Sequence, residues 1–350
     1  MADSGVITPS VKLLHNNSRI PDSLFSKVES ITIEDEINVP AMFSISLAMK
    51  DFDKGEWTGI DLKTFKLGDA ITISMGNDSS EEMIVGEISD LEPEFSENPK
   101  LVIRGFDRMH RLRFGKYRRS FLEMSDSDIA EKIAVDAGLK SKVEDTKTMY
   151  PYVFQNNISN YDFLLHRASR IGFEIRVKDK DLILRPSQED QPPSASLEFG
   201  TTLEKFSARL RTLTQGSSVE VRGWDPASKK EITGTAQSGD EVSAMEGEST
   251  GFKLSTETFG DSDTAVIDEP VIDDTHADRI AKGAYNSLIR QFINAEGETL
   301  GDPLIRAGET LEIKRIGERF SGNYYVIASK HEHNYDTGYT TKFTVQRSGA

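Results

Sequence analysis

The first hundred residues alternate apolar and polar positions with a period of two. Phe43, Ile45, Leu47 and Met49 interleave with Ser44, Ser46 and Ala48; Ile71, Ile73 and Met75 interleave with Thr72 and Ser74. Leu101 and Ile103 fall on one side of the next run and Arg104 on the other. Successive side chains of a strand point to opposite faces, so the pattern predicts half-buried strands of an antiparallel sheet or barrel. The period then changes. Ser125 with Asp128 has the form of a capping box; Ile129, Ile133 and Ala137 follow at helical spacing, and Gly138 is the stop. Ser159 with Asp162 repeats the start, Leu164, Leu165, Ala168 and Ile171 form the stripe, and Gly172 ends it. Phe173, Ile175 and Val177, a turn from Asp179 to Asp181, then Leu182 and Leu184 complete a small α+β unit.

Gln191-Pro192-Pro193, between Ser187 and Ser196, predicts a linker. Strands resume with Val219 and Val221. From Gln237 to Thr264 the chain is acidic and rich in Ser, Thr and Gly, which predicts a long surface excursion. Its acids, from Asp240 to Asp274, either solvate a loop or line a lumen and repel an acidic cargo. Thr275 with Asp278 predicts a third helix with the stripe Ile280, Ala284, Leu288 and Phe292, and strands return from Thr310. The expected fold class is mainly β with α+β insertions. The expected domains are 1–112, a first β-barrel; 113–196, an α+β domain; and 197–350, a second β-barrel with an inserted acidic and helical segment at about 237–296.

Two distant stretches resemble each other. Leu67-Gly68-Asp69-Ala70-Ile71-Thr72-Ile73 matches Ala307-Gly308-Glu309-Thr310-Leu311-Glu312-Ile313, and Ile84-Val85 finds Tyr325-Val326 at nearly the same offset. Leu101 and Ile103 then find Phe343 and Val345. Either any two antiparallel meanders align this way, or one chain holds two copies of one barrel. In the second case three chains around an axis present six similar barrels, able to meet a sixfold partner on one side and a threefold partner on the other.

Composition narrows the chemistry. The 350 residues include no cysteine, which excludes disulfides, thiolate metal sites and cysteine nucleophiles. The formal net charge of −16 disfavours nucleic-acid binding over the whole surface. Met1 to Ser10 has neither a basic start nor an apolar run, so no signal peptide is expected, and no stretch approaches the roughly 20 apolar residues that span a bilayer.

Within this acidic chain, Arg104, Arg108, Arg111, Arg113, Lys116, Arg118 and Arg119 stand against one acid, Asp107. Phe106, Phe114 and Tyr117 interleave with them, a pattern compatible with single-stranded nucleic acid. The competing expectation, an interface pairing with acids of a neighbouring domain or subunit, suits arginine's planar fork better. The candidate interface residues are therefore Arg104, Arg108, Arg111, Arg113, Arg118 and Arg119. His331 and His333 share one face of a predicted strand but lack a third metal ligand nearby. His166 stands four residues after Asp162 with no nucleophile nominated. No phosphate-binding glycine loop and no Gly-x-Ser-x-Gly elbow occurs. No catalytic residue, metal or cofactor is expected.

Gly105-Phe106-Asp107-Arg108-Met109-His110-Arg111-Leu112-Arg113, then Ser125-Asp126-Ser127-Asp128-Ile129-Ala130 and Ala137-Gly138-Leu139, resembles a signature segment of the phage late control D family, which includes the hub portion of VgrG-type spikes. Gln155, Ser159-Asn160-Tyr161-Asp162-Phe163-Leu164 and Gly172-Phe173 resemble that family's following helix and strand. Phe320-Ser321-Gly322-Asn323-Tyr324-Tyr325-Val326 and Gly338-Tyr339-Thr340-Thr341-Lys342-Phe343 resemble its second-barrel hairpin. The resemblance runs from about residue 20 to the end. It implies two tail-tube-like antiparallel β-barrels per chain and a homotrimeric baseplate hub. The hub would join a tail tube or tube-initiator protein to a spike of OB-fold and β-prism type, with DNA or effector cargo crossing the lumen and no membrane insertion by this chain. It also implies synthesis in the cytoplasm and incorporation into a phage, tailocin or injection particle. VgrG-type chains continue into the spike, whereas this sequence stops at Ala350, which favours a separate spike protein. The rivals are the hub portion of an effector-delivering spike and a peptidoglycan-degrading or peptidoglycan-binding tail component.

Overall fold

The alternating runs lie in strands. The computed structural model describes residues 9–51, 56–57, 64–213, 218–260, 265–268 and 270–350. Expectations on Met1 to Thr8 and on the end of the acidic excursion at 261–264 lie outside the described residues. The first β unit holds β1 (Pro9–His15), β2 (Ser18–Arg19), the turn α1 (Asp22–Phe25), β3 (Val28–Glu36), β4 (Val39–Ala48), the short β5 (Lys50–Asp51) and β6 (Glu56–Trp57), β7 (Ala70–Asn77), β8 (Glu81–Glu94) and β9 (Lys100–Asp107). A 3-10 turn, η1 (Arg108–Arg113), leads to the α+β unit: β10 (Tyr117–Ser125), α2 (Asp126–Asp136), β11 (Lys140–Val143), β12 (Met149–Ile158), α3 (Asn160–Ser169), β13 (Phe173–Lys178) and β14 (Asp181–Pro186). β15 (Ala195–Glu198) and β16 (Leu203–Leu210) open the second β unit. An insertion follows, with β17 (Ser218–Asp225), β18 (Lys230–Gln237), α4 (Gly251–Phe259), β19 (Ala265–Asp268) and α5 (Asp274–Ile289). A short turn, η2 (Arg290–Phe292), then leads to β20 (Ile293–Leu300), β21 (Thr310–Lys314), β22 (Gly322–Asn334) and β23 (Gly338–Arg347), which complete the second unit.

The two β units share one strand order. It is β1-β7-β8-β9-β4-β3 in the first and β15-β21-β22-β23-β20-β16 in the second. Numbered along the chain within each unit, both read 1-4-5-6-3-2. The irregularities recur as well. β8 slips against β9 between Ile88 and Asp90, and β22 slips against β23 between Val326 and Ala328. β3 slips against β4 between Val28 and Ser30, and β16 slips against β20 between Leu203 and Lys205. Meanders aligned by chance do not repeat their bulges, because each bulge is a local insertion with its own backbone bend. The units also differ: β1 runs antiparallel to β7, whereas β15 runs parallel to β21, and the slips at Glu34/Glu36 and Ile73/Ser74 have no counterpart in the second unit. The glycines that suggested the repeat sit in equivalent turns. Gly68 (φ 85°) donates to Ile88 O at 2.8 Å, and Gly308 (φ 78°) donates to Val326 O at 2.9 Å. Both occupy left-handed backbone that a Cβ disfavours.

β22 joins the units. Its first half pairs with β21, and from Ala328↔Glu36 to Asn334↔Ser30 it pairs with β3. All these strands thus lie in one 13-stranded sheet. Each unit keeps its own core: Ile33, Phe43, Ile73 and Ile103 in the first, and Leu311, Tyr324, Val326 and Val345 in the second. Phe121, Ile133, Phe163 and Leu182 fill the α+β unit.

Two helices begin where the sequence indicates. Ser125 and Asp128 form a capping box, and Ser159 accepts from the Asp162 N–H at 3.0 Å. The third does not begin at Thr275. Asp273 caps α5 by accepting from His276 N–H at 2.7 Å, which places Thr275 inside the helix, and Phe292 falls beyond it in η2. The insertion also starts earlier than residue 237. β17, β18 and β19 form a separate three-stranded sheet, so Val219 and Val221 belong to it. Alternation marks a strand but does not name its partner. The acidic excursion is tied down: Met245 is buried, Lys282 pairs with Asp240 at 2.8 Å, and Ser249 and Ala350 exchange backbone hydrogen bonds.

Candidate assembly interface

The basic run divides between two tasks. Asp107 caps η1 by accepting from Met109 N–H at 2.9 Å, and this turn aims Arg108 and Arg111 at one acid, Glu87 of β8. Arg108 Nε donates to Glu87 at 3.1 Å, and its other arm reaches Asp179 in the α+β unit. Arg111 grips Glu87 with both arms, at 2.7 and 2.5 Å. Two guanidinium groups and two carboxylates thus balance at the joint, with Arg108 and Glu87 buried and Arg111 and Asp179 half-exposed, so the buried charges are paired. Arg113 lies over the Tyr161 ring at 4.5 Å, while Tyr161 donates to Asn38 O at 2.7 Å in the β3–β4 turn. Arg108, Arg111 and Arg113 therefore meet where the first β unit and the α+β unit touch. Arg119 stays within the α+β unit, bonded to Gln155, Asp136 and Asn160. Arg118 projects, exposed, from β10. Arg104 faces Glu92 across β8 and β9 at 3.3 Å.

A second joint escaped the sequence reading. Arg306, between β20 and β21, pairs with Asp35 of β3 at 3.0 Å and donates to Met83 O at 2.8 Å. Arg176 and Arg185 of the α+β unit donate to Ala307 O and Gly308 O, and Tyr325 donates to Glu174 at 2.6 Å. These partners lie more than 100 residues apart, so no local pattern connects them.

Asp107 sits between the two joints. Burial pushes its carboxyl up to about 7, against the Ala41 and Met109 N–H groups that favour the anion. A folded value above the unfolded one means that the native state holds the extra proton from roughly pH 4 to 7. Asp107 is therefore expected to make stability fall as pH rises through that window, by up to about 1.4 kcal/mol per pH unit. Urea midpoints of the wild-type chain and of Asp107→Asn at pH 5, 6, 7 and 8 check this. The difference between the two should grow from pH 5 to 7 and level off towards pH 8, and parallel profiles would refute it.

The histidines are tied into the structure. His331 is fully buried, donates from Nε2 to Ile305 O at 2.9 Å, and accepts at Nδ1 from Tyr339 or Thr341. Burial pushes it down to about 3. His333 is only half-buried on the same strand face, and burial lowers it too. Asp162 is bonded to Ser159 at the helix start. Among the described residues no group of three or more His, Asp or Glu side chains could hold a metal ion.

One face of the large sheet carries a charged row across five strands. Lys205, Glu298, Lys342, Lys330 and Glu34 are register partners in turn from β16 to β3. Their cations are matched: Lys205 and Lys342 both reach Glu298, at 2.8 and 3.8 Å, and Lys330 reaches Glu34 at 3.5 Å. Lys100 reaches Glu94 at 3.1 Å. Of the edges left open among the described residues, two belong to the counterparts of the strands that join the units. β8 pairs with β7 only as far as Glu87 and with β9 as far as Glu94, so its outer half is open on one side. β16 pairs with β20 alone.

A family model described as the Alg8 N-terminal domain matches residues 6–334. No curated protein matches the sequence. The fold is similar to the prophage MuSo2 43 kDa tail protein from Shewanella oneidensis, with TM-score 0.73 and 14% identity over 97% of this chain and 98% of that one. The tail protein from Neisseria meningitidis MC58 follows with TM-score 0.68 and 12% identity over 97% of each chain. The E. coli c3393 protein, described as a component of the type VI secretion system with structural similarity to bacteriophage T4 tail proteins gp27 and gp5, has TM-score 0.60 and 11% identity over 97% of this chain and 77% of its own. At these identities the likeness is one of fold.

Proposed function

The chain belongs to the family described as the Alg8 N-terminal domain, and from the fold it shares with tail proteins we propose that it is a non-enzymatic hub of a contractile tail or injection machine. Three copies form the adaptor between a hexameric tube, or its initiator, and a central spike protein. The observation that carries the reading is the repeated β unit with two repeated bulges, joined to its twin edge to edge and leaving the counterpart edges on β8 and β16 open. Three chains supply six such units, which converts a sixfold partner into a threefold one. The polar face then lines the lumen, where its cations, already matched by acids, hold a passing DNA or effector cargo weakly. The resemblance to the late control D family, with its VgrG-type hubs, supports the same place in a baseplate. Light scattering of the purified chain, alone and mixed with its spike protein, tests the proposal. A mass of three copies in either sample is expected. A monomer in both, or a dimer in either, removes the adaptor reading, because neither converts six positions into three.

A further inference from the structure

The repeat relates the joint inside the chain to two of the edges left open outside it, those of β8 and β16. Within the chain, the outer half of β22 takes β3 as its neighbour, with Ala328↔Glu36, Lys330↔Glu34, Glu332↔Thr32 and Asn334↔Ser30. β8 is the counterpart of β22, and β16 is the counterpart of β3. The shared bulges fix the correspondence residue by residue. Ile88 and Val326 precede the bulge, so Asp90 stands for Ala328, Glu92 for Lys330 and Glu94 for Glu332. Val28 and Leu203 precede the other, so Ser30 is matched by Lys205, Thr32 by Ser207, Glu34 by Arg209 and Glu36 by Arg211.

From this we infer that the outer half of β8 in one copy pairs antiparallel with β16 of a second copy and with Arg211, the residue that follows it, in the register Glu92↔Arg209 and Asp90↔Arg211. The inference rests on the trimeric reading above and assigns its subunit contact. The transferred register sets an acid against an arginine at both positions, although nothing in the transfer used charge. Inside the chain the equivalent contact is Lys330 with Glu34 at 3.5 Å, the same attraction with the signs exchanged. Arg209 and Arg211 are exposed, and no acid among the described residues pairs with either. Asp90 is also exposed, and among the described residues its side chain bonds to its neighbour Ser89, at 2.5 Å, whereas Glu92 already reaches Arg104 at 3.3 Å and would exchange or share that partner. Opposite charges directly across two strands are favourable and like charges are not, so each edge rejects its own kind and accepts the other. Pro93 lacks an N–H and costs the extended ladder at most one bond.

The absence of cysteine makes a direct test clean. Directly opposed residues of paired strands hold their Cβ atoms about 4.5–5.5 Å apart, close enough for a disulfide after a small adjustment. Glu92→Cys with Arg209→Cys in one chain is expected to give cross-linked dimers and trimers on oxidation in the assembled hub. Asp90→Cys with Lys205→Cys, offset by six residues or about 20 Å, is expected to stay monomeric on the gel. Charge reversal gives an independent reading. Arg209→Glu with Arg211→Glu, or Asp90→Arg with Glu92→Arg, is expected to reduce the sedimenting mass to about one third. All four changes in one chain should restore it. Mixing the two half-variants should not, because alternating chains cannot close a ring of odd number. Trimers in both half-variants, or no cross-link from the first cysteine pair within a measured trimer, overturn the register and leave the hub reading standing. A wild-type chain that never forms a trimer removes both.

Discussion

Arg167→Ala is expected to destabilise the folded chain by about 3–5 kcal/mol, the usual cost of stripping one partner from a buried ion pair. Arg167 Nε donates to Asp126 Oδ1 at 2.5 Å, and the Asp126 side chain is 3% exposed. The other carboxylate oxygen takes the Tyr150 hydroxyl at 3.1 Å. Tyr150 in turn receives Nε2–H of His276 at 3.0 Å, because Ile272 N–H occupies Nδ1 at 3.3 Å and fixes the tautomer. Burial first, and then the positive charges of Arg170 and Arg167, push His276 down to about 4, so it is neutral in this chain of bonds at pH 7. Without Arg167 the Asp126 carboxylate keeps one hydroxyl donor and no counter-charge. Arg167→Ala with Asp126→Asn should recover part of the loss at pH 7. Urea unfolding of the three proteins decides it, and a loss below about 1 kcal/mol for Arg167→Ala would sink the account.

This network shows where sequence reading stops. Ser125 with Asp128 and Ser159 with Asp162 were legible because a helix start is a local event, closed within three residues. The repeat was legible at Gly68 and Gly308, whose turns need glycine and lead into alternating strands, but its later register was not: Val326 answers Ile88 and not Val85, because alternation looks the same after a shift along the strand. His276 and Tyr150 meet across 126 positions, and each in isolation reads as an ordinary side chain of its element. The candidate arginines divide the same way. Their number against one acid was legible, but the counter-charge Glu87 lies 21 residues before Arg108 on a strand that gives no sign of it. Val219 and Val221 mark the boundary case: strand character was plain, and the sheet to which they belong depends on α5 covering its face, with Ala277, Ile280 and Ala281 packed on it.

Arg347→Ala is expected to cost about 3–5 kcal/mol, combining a buried cavity with the loss of donors to backbone carbonyls. Arg347 is 1% exposed, and its guanidinium is held by carbonyls: Nε donates to Met245 O at 3.1 Å, and Nη1 donates to Ser321 O at 2.9 Å and Arg319 O at 3.3 Å. It also lies over the Tyr324 ring at 5.5 Å. No carboxylate among the described residues pairs with it, so oriented backbone dipoles carry the charge. A Cβ on Gly322 would come within 2.6 Å of its Nη2, so the neighbouring strand is built around this side chain. Arg347→Met should recover the packing share and leave the carbonyls unsatisfied, placing it between alanine and wild type. The loss should also be localised. Met245 belongs to the acidic excursion, which is fastened at the same place by Ser348 to Ser243 O at 2.5 Å and by Gly251 N–H to Ser348 O at 2.8 Å. Amide exchange in residues 243–251 should therefore quicken in Arg347→Ala before the sheet itself opens. Unchanged exchange there, with a stability loss below about 1 kcal/mol, would mean that the excursion is held by its own contacts and that Arg347 is a passenger in the core.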